Sequence, residues 1–61
     1  MADEDVVAVK LTVVSPDGKE FVVYAAPDKA RYASKLQIES GNSVTQEELT
    51  EMPKGVELDI P

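Results

Sequence analysis

Residues 6–26 read Val-Val-Ala-Val-Lys-Leu-Thr-Val-Val-Ser-Pro-Asp-Gly-Lys-Glu-Phe-Val-Val-Tyr-Ala-Ala, and this stretch decides the fold. Two runs rich in β-branched and aromatic residues, 6–14 and 19–26, flank a Ser15-Pro16-Asp17-Gly18 corner, the pattern of an antiparallel hairpin. Pro16 presets the first central position of a type I turn and Asp17 suits the second. Gly18 accepts the left-handed conformation that adds a one-residue bulge. With Ser15 and Lys19 closing the loop, Val13 faces Phe21, Leu11 faces Val23 and Val9 faces Ala25, so one side of the hairpin is wholly apolar. A slip of one residue sets Val13 against Glu20 and scrambles that side.

The other side carries Val6, Ala8, Lys10, Thr12 and Val14 on the first strand and Glu20, Val22, Tyr24 and Ala26 on the second. A solvated face normally turns polar, whereas this one is half apolar. Val14, Val22 and Tyr24, with Lys10 opposite Tyr24, are therefore candidates for a contact surface with another chain. Coverage by the C-terminal segment accounts for the same residues equally well.

Beyond the hairpin, Pro27 and Asp28 suit a helix start and Gly41 a stop. Tyr32, Ala33 and Leu36 share one face, which predicts a helix over 28–39. Lys35-Leu36-Gln37-Ile38-Glu39 also alternates as a short strand would, leading into the Ser40-Gly41-Asn42-Ser43 turn. Lys29, Arg31 and Lys35 form the wet side of that helix. Thr45 and Glu48 have capping-box spacing, with Val44 and Leu49 as the accompanying staple, and they predict a second short helix over 46–52. Leu49 and Met52 mark its inner side, and Pro53-Lys54-Gly55 ends it. Val56, Leu58 and Ile60 alternate with Glu57 and Asp59 as a strand over 56–60. Placed beside the first hairpin strand, it resembles a reduced β-grasp sheet, a likeness that carries no function. These elements define an α+β class and a single domain over 6–61, preceded by an acidic flexible tail, 1–5, that nothing apolar holds down.

Composition bounds the chemistry. The chain has 61 residues, 43% hydrophobic, with no cysteine and no histidine. It buries only about 60% of its unfolded surface and has no disulfide or zinc-thiolate staple, so a partner is the natural source of extra stability. Ser15, Ser34, Ser40 and Ser43 have no histidine to activate them. Gly18, Gly41 and Gly55 are isolated and form no nucleotide-binding loop. Asp3, Glu4 and Asp5 read as a solubilising tail rather than a calcium loop. The expectation is a non-enzymatic chain with no cofactor and no metal site. No apolar run approaches the roughly 18 residues of a membrane span, and the Met-Ala-Asp-Glu-Asp start lacks the features of an export signal. A cytoplasmic location is expected, in a host cell if the chain is viral.

Twelve acidic residues against six basic ones leave a net charge of -6. Charge is uneven: Asp28 against Lys29, Arg31 and Lys35 makes 28–35 basic, while Glu39, Glu47, Glu48, Glu51, Glu57 and Asp59 face only Lys54 thereafter. This balance repels phosphate backbones and disfavours direct nucleic-acid binding. Helix-dipole stabilisation accounts for Glu47 and Glu48 in a first helical turn, but not for Glu51, Glu57 or Asp59. If the 46–52 helix packs beside the 56–60 strand, five carboxylates share a surface. The expected function is a small acidic interaction module, an inhibitor, adaptor or regulator binding a basic protein, with nucleic-acid mimicry as one form. The alternative is a structural or accessory subunit of a homo-oligomer, virion or larger enzyme assembly. Open hairpin edges make homodimerisation compatible with either.

Overall fold

The hairpin corner closes as its residue types dictate. In a computed structural model, which describes residues 5–61, the Gly18 amide donates to the Ser15 carbonyl at 2.9 Å and the Ser15 amide to the Lys19 carbonyl at 2.8 Å. Gly18 takes φ +94°, the left-handed bulge position. The strands that follow are β1, Ala8–Val14, and β2, Glu20–Ala25. Their register is the expected one, pairing Val9 with Ala25, Leu11 with Val23 and Val13 with Phe21.

The helix α1 spans Ala30–Glu39, two residues short of the expected start because 27–29 form a turn and Lys29 caps without a side-chain bond. Its end is a Schellman motif: Asn42 donates its amide to the Gln37 carbonyl and Gly41 to the Ile38 carbonyl, with Gly41 at φ +93°. A Cβ on Gly41 would lie 4.0 Å from Pro16, so the helix ends against the hairpin corner. The buried stripe differs from the expected one. Ala30, Ala33 and Ser34 face inward, while Tyr32 is 62% exposed and Leu36 44% exposed. Small side chains allow the helix to approach the sheet closely, and this takes precedence over hydrophobicity in choosing the inner face.

Residues 46–52 do not form the second helix. Ser43–Leu49 is instead a third strand, β3, paired antiparallel with β1 from Ala8–Leu49 to Val14–Ser43. The sheet order is β2-β1-β3. Two physical reasons favour the strand. A helix of about seven residues cannot sustain itself in water, whereas seven residues laid along β1 fill its second edge and bring Val44 onto the core beside Val13. The capping-box spacing of Thr45 and Glu48 is compatible with an alternating strand, in which Thr45 points to one side with Glu47 and Glu48 to the other with Val44.

Nor does 56–60 form a regular strand. Its sole ladder contact is a parallel bridge between Ile60 and Ala25, which places the C-terminal segment along β2 rather than along β1 as the β-grasp arrangement requires. The carbonyl a strand would offer to Tyr24 is replaced by the Asp59 side chain, which accepts the Tyr24 amide at 2.9 Å. The acidic tail expected over 1–5 lies, apart from the exposed Asp5, outside the described residues.

The core consists of Val9, Leu11, Val13, Ala25, Ala30 and Ala33, with Val23, Val44, Ile60 and Val6 packed around it; Val6 precedes β1 and does not keep the outward position expected of it. Leu11 and Val13 are its largest fully buried side chains. Truncating Leu11→Ala removes a large fraction of so small a core and is expected to cost about 2–5 kcal/mol. Urea melts followed by circular dichroism check this, with Lys54→Ala, an exposed change outside the sheet, as the near-neutral control. At the corner, the Ser15 hydroxyl and the Lys19 amide both donate to Asp17, the hydroxyl having the larger effect, and hold its carboxyl below the usual range. A lowered folded-state pKa stabilises the fold above the unfolded value and loses that contribution as pH falls through the folded one. Asp17→Asn is therefore expected to flatten the acid limb of a stability-against-pH curve while leaving the sheet register unchanged.

Candidate functional site

The side of the sheet away from α1 collects most of the residues singled out by sequence. Because β1 is central, each of its outward residues lies between two neighbours. Lys10 sits between Tyr24 and Glu47, Thr12 between Val22 and Thr45, and Val14 between Glu20 and Ser43. Neighbouring strands are about 4.8 Å apart, so each trio lies within about 10 Å. Lys10 and Tyr24 are half-buried, whereas Val14 and Val22 are 36% and 40% exposed. The result is a shallow apolar step of Val14, Val22 and Tyr24 with Glu20 and Glu47 on its margins.

Strand β3 makes Glu47 part of this face, which sequence reasoning had placed on a helix with Glu51. Opposite charges on Lys10 and Glu47 across the ladder favour their register by about 0.2–1 kcal/mol. Glu51 and Glu57 are both exposed in the connection that carries the chain from β3 to the far edge of β2. Asp59 ends at that far edge, held to the Tyr24 amide, while the Ile60 amide donates to the Tyr24 carbonyl at 3.2 Å and the Ala26 amide to the Ile60 carbonyl at 2.8 Å. Glu47 and Asp59 thus occupy opposite edges of the sheet. The five-carboxylate surface, which required a helix packed on a strand, is not assembled, and Asp59 has a structural role in covering part of the β2 edge.

One end of the same face is closed. Ala8 is fully buried, and Leu49, Met52, Val56 and Leu58 near it in the chain path are half-buried. The face is thus closed at the Ala8 end and open at Val14 and Val22. Sequence reasoning missed other exposed apolar groups on the helix side, Phe21, Tyr32, Leu36 and Ile38. The available signal was the spacing of Ala30, Ala33 and Ser34, which marks the flank able to lie closest to a sheet.

Among the described residues, no group of three or more His, Cys, Asp or Glu side chains is placed to hold a metal ion. No helix among them is long and apolar enough to cross a membrane. Comparison with known proteins found no matching family model, no matching curated protein and no matching solved structure.

Asp59→Ala removes the acceptor of the Tyr24 amide and is expected to cost about 1 kcal/mol. Amide exchange at Tyr24 should quicken while the β1–β3 ladder keeps its protection. Unchanged exchange at Tyr24 would show that the backbone bonds of Asp59 and Ile60 hold the segment without the carboxylate.

Proposed function

We propose that this chain is a small non-enzymatic interaction module that binds a basic protein through the outer face of its sheet. The observation that supports this reading best is the juxtaposition of Val14 and Val22, both more than a third exposed, on a face bordered by Glu20 and Glu47. An apolar centre supplies contact energy, and the surplus of carboxylates favours a cationic partner and speeds encounter.

Magnitude sets the kind of complex. Seven residues of β1 give the face a length of about 23 Å, and three strands give it a width of about 10 Å. That area is well below the roughly 800 Å² per partner of a standard interface. The contact is therefore small and salt-sensitive, and it extends onto Glu51 and Glu57 beside the sheet. Phosphate-backbone mimicry draws no support from carboxylates divided between two edges, and it is not part of the proposal.

Capture with immobilised protein at low salt, compared among variants, tests the proposal. Val22→Asp places a charge at a partly exposed strand position and should cost about 1 kcal/mol, with the fold checked by circular dichroism. It is expected to abolish capture of basic proteins, and Glu47→Gln with Glu51→Gln should weaken it and flatten its salt dependence. Capture indifferent to both changes overturns the proposal, as does a chain that is dimeric at all concentrations with this face buried.

A further inference from the structure

A groove of about 470 Å³ lies between α1 and β3, lined by Arg31, Ser34, Lys35, Ile38, Glu39 and Gln46. It is on the opposite side of the sheet from the face proposed above and is independent of that reading. Ser34 is 4% exposed, and its hydroxyl has no hydrogen-bond partner. A buried polar group without a partner is costly to the free fold, and because Ser34 lines the groove, an occupant that reaches this hydroxyl relieves that cost.

The floor has unfilled contacts as well. Tyr24 directs both its amide and its carbonyl away from β1, toward Asp59 and Ile60. By the alternation of antiparallel ladders, Lys10, Thr12 and Val14 then bond to β3, and Val44, Gln46 and Glu48 direct their amides and carbonyls to the outer edge. No backbone bond from outside the sheet reaches these three among the described residues. The exposed β3 edge is thus a template for one more strand.

Charge selects the occupant. Arg31 and Lys35 lie one helical turn apart on the flank that faces Gln46, with Glu39 at one end of the groove and Glu48 at the far end of the edge. The centre is cationic and the ends anionic. A second copy of β3 paired antiparallel about Gln46 would set a neutral Gln46 at the cationic centre and its Glu48 opposite Val44, toward the Glu39 end, so self-pairing leaves Arg31 and Lys35 unmatched. We propose that the groove receives an extended peptide segment of another protein, added to β3 as a fourth strand, with one carboxylate set against Arg31 and Lys35. Neutral residues flank that carboxylate, the one on the Ile38 side being apolar. This is β-augmentation with an ionic specificity contact.

The probe is a fluorescein-labelled heptapeptide, acetyl-Thr-Val-Thr-Glu-Thr-Val-Thr-amide, titrated with the full chain by anisotropy and by amide chemical shifts. Saturable binding is expected, with shifts centred on Val44, Gln46 and Glu48. Replacing the probe glutamate by glutamine, or Arg31→Gln with Lys35→Gln in the protein, should each weaken binding about tenfold. Gln46→Pro removes an amide that points away from β1 and should abolish binding without loss of the sheet. Ser34→Ala should raise the melting temperature while weakening binding. Val22→Asp, which disables the outer face, should leave the probe affinity unchanged. Equal affinity for glutamate, glutamine and lysine probes overturns the proposal, as do an unaltered affinity in Ser34→Ala, an absence of shifts at the β3 edge, or sedimentation showing a dimer with that edge protected.

Discussion

Everything in this small structure depends on β1 being hydrogen-bonded along both edges. Its odd-numbered residues Val9, Leu11 and Val13 bond toward β2 and turn their side chains to the core; its even-numbered residues bond toward β3 and turn theirs outward. A two-stranded hairpin alone is marginal in water, and three strands under a helix are about the minimum for independent stability. Filling the second edge of β1 is therefore worth more to the chain than forming a short helix from the same residues. That single preference explains why 43–49 is extended, why Glu47 joins the outer face, and why the helix has sheet on which to rest.

The hairpin was fully legible because two independent signals agreed. The chemistry of Pro16, Asp17 and Gly18 and the apolar set of Val9, Leu11, Val13, Phe21 and Val23 demand one register, and the structure has it. The helix over Ala30–Glu39 was legible in extent but not in orientation, since Tyr32 and Leu36 attract attention while the close-packing flank belongs to Ala30, Ala33 and Ser34. β3 was hidden by a local helix signal at Thr45 and Glu48 that tertiary pairing overrides. A seven-residue segment has no way to signal that a strand centred 35 residues earlier still has an unfilled edge.

The candidate site follows the same division. Val14, Val22, Tyr24 and Lys10 could be grouped from the hairpin alone. Placing Glu47 beside them, and removing Asp59 to the opposite edge, required knowledge of what pairs with what. The resulting molecule has chemically different sides: an outer face with an apolar step and acidic margins, and a helix side with a cationic groove next to an open strand edge.

The most direct test of the central pairing is the set of cross-strand NOEs in solution. In the antiparallel β1–β3 ladder, Leu11 with Gln46 and Val13 with Val44 are the non-hydrogen-bonded pairs, whose α-protons approach most closely. Strong Hα–Hα NOEs within those two pairs are the predicted result. Their absence, together with successive amide–amide NOEs and helical carbon shifts over 46–52, would contradict the account.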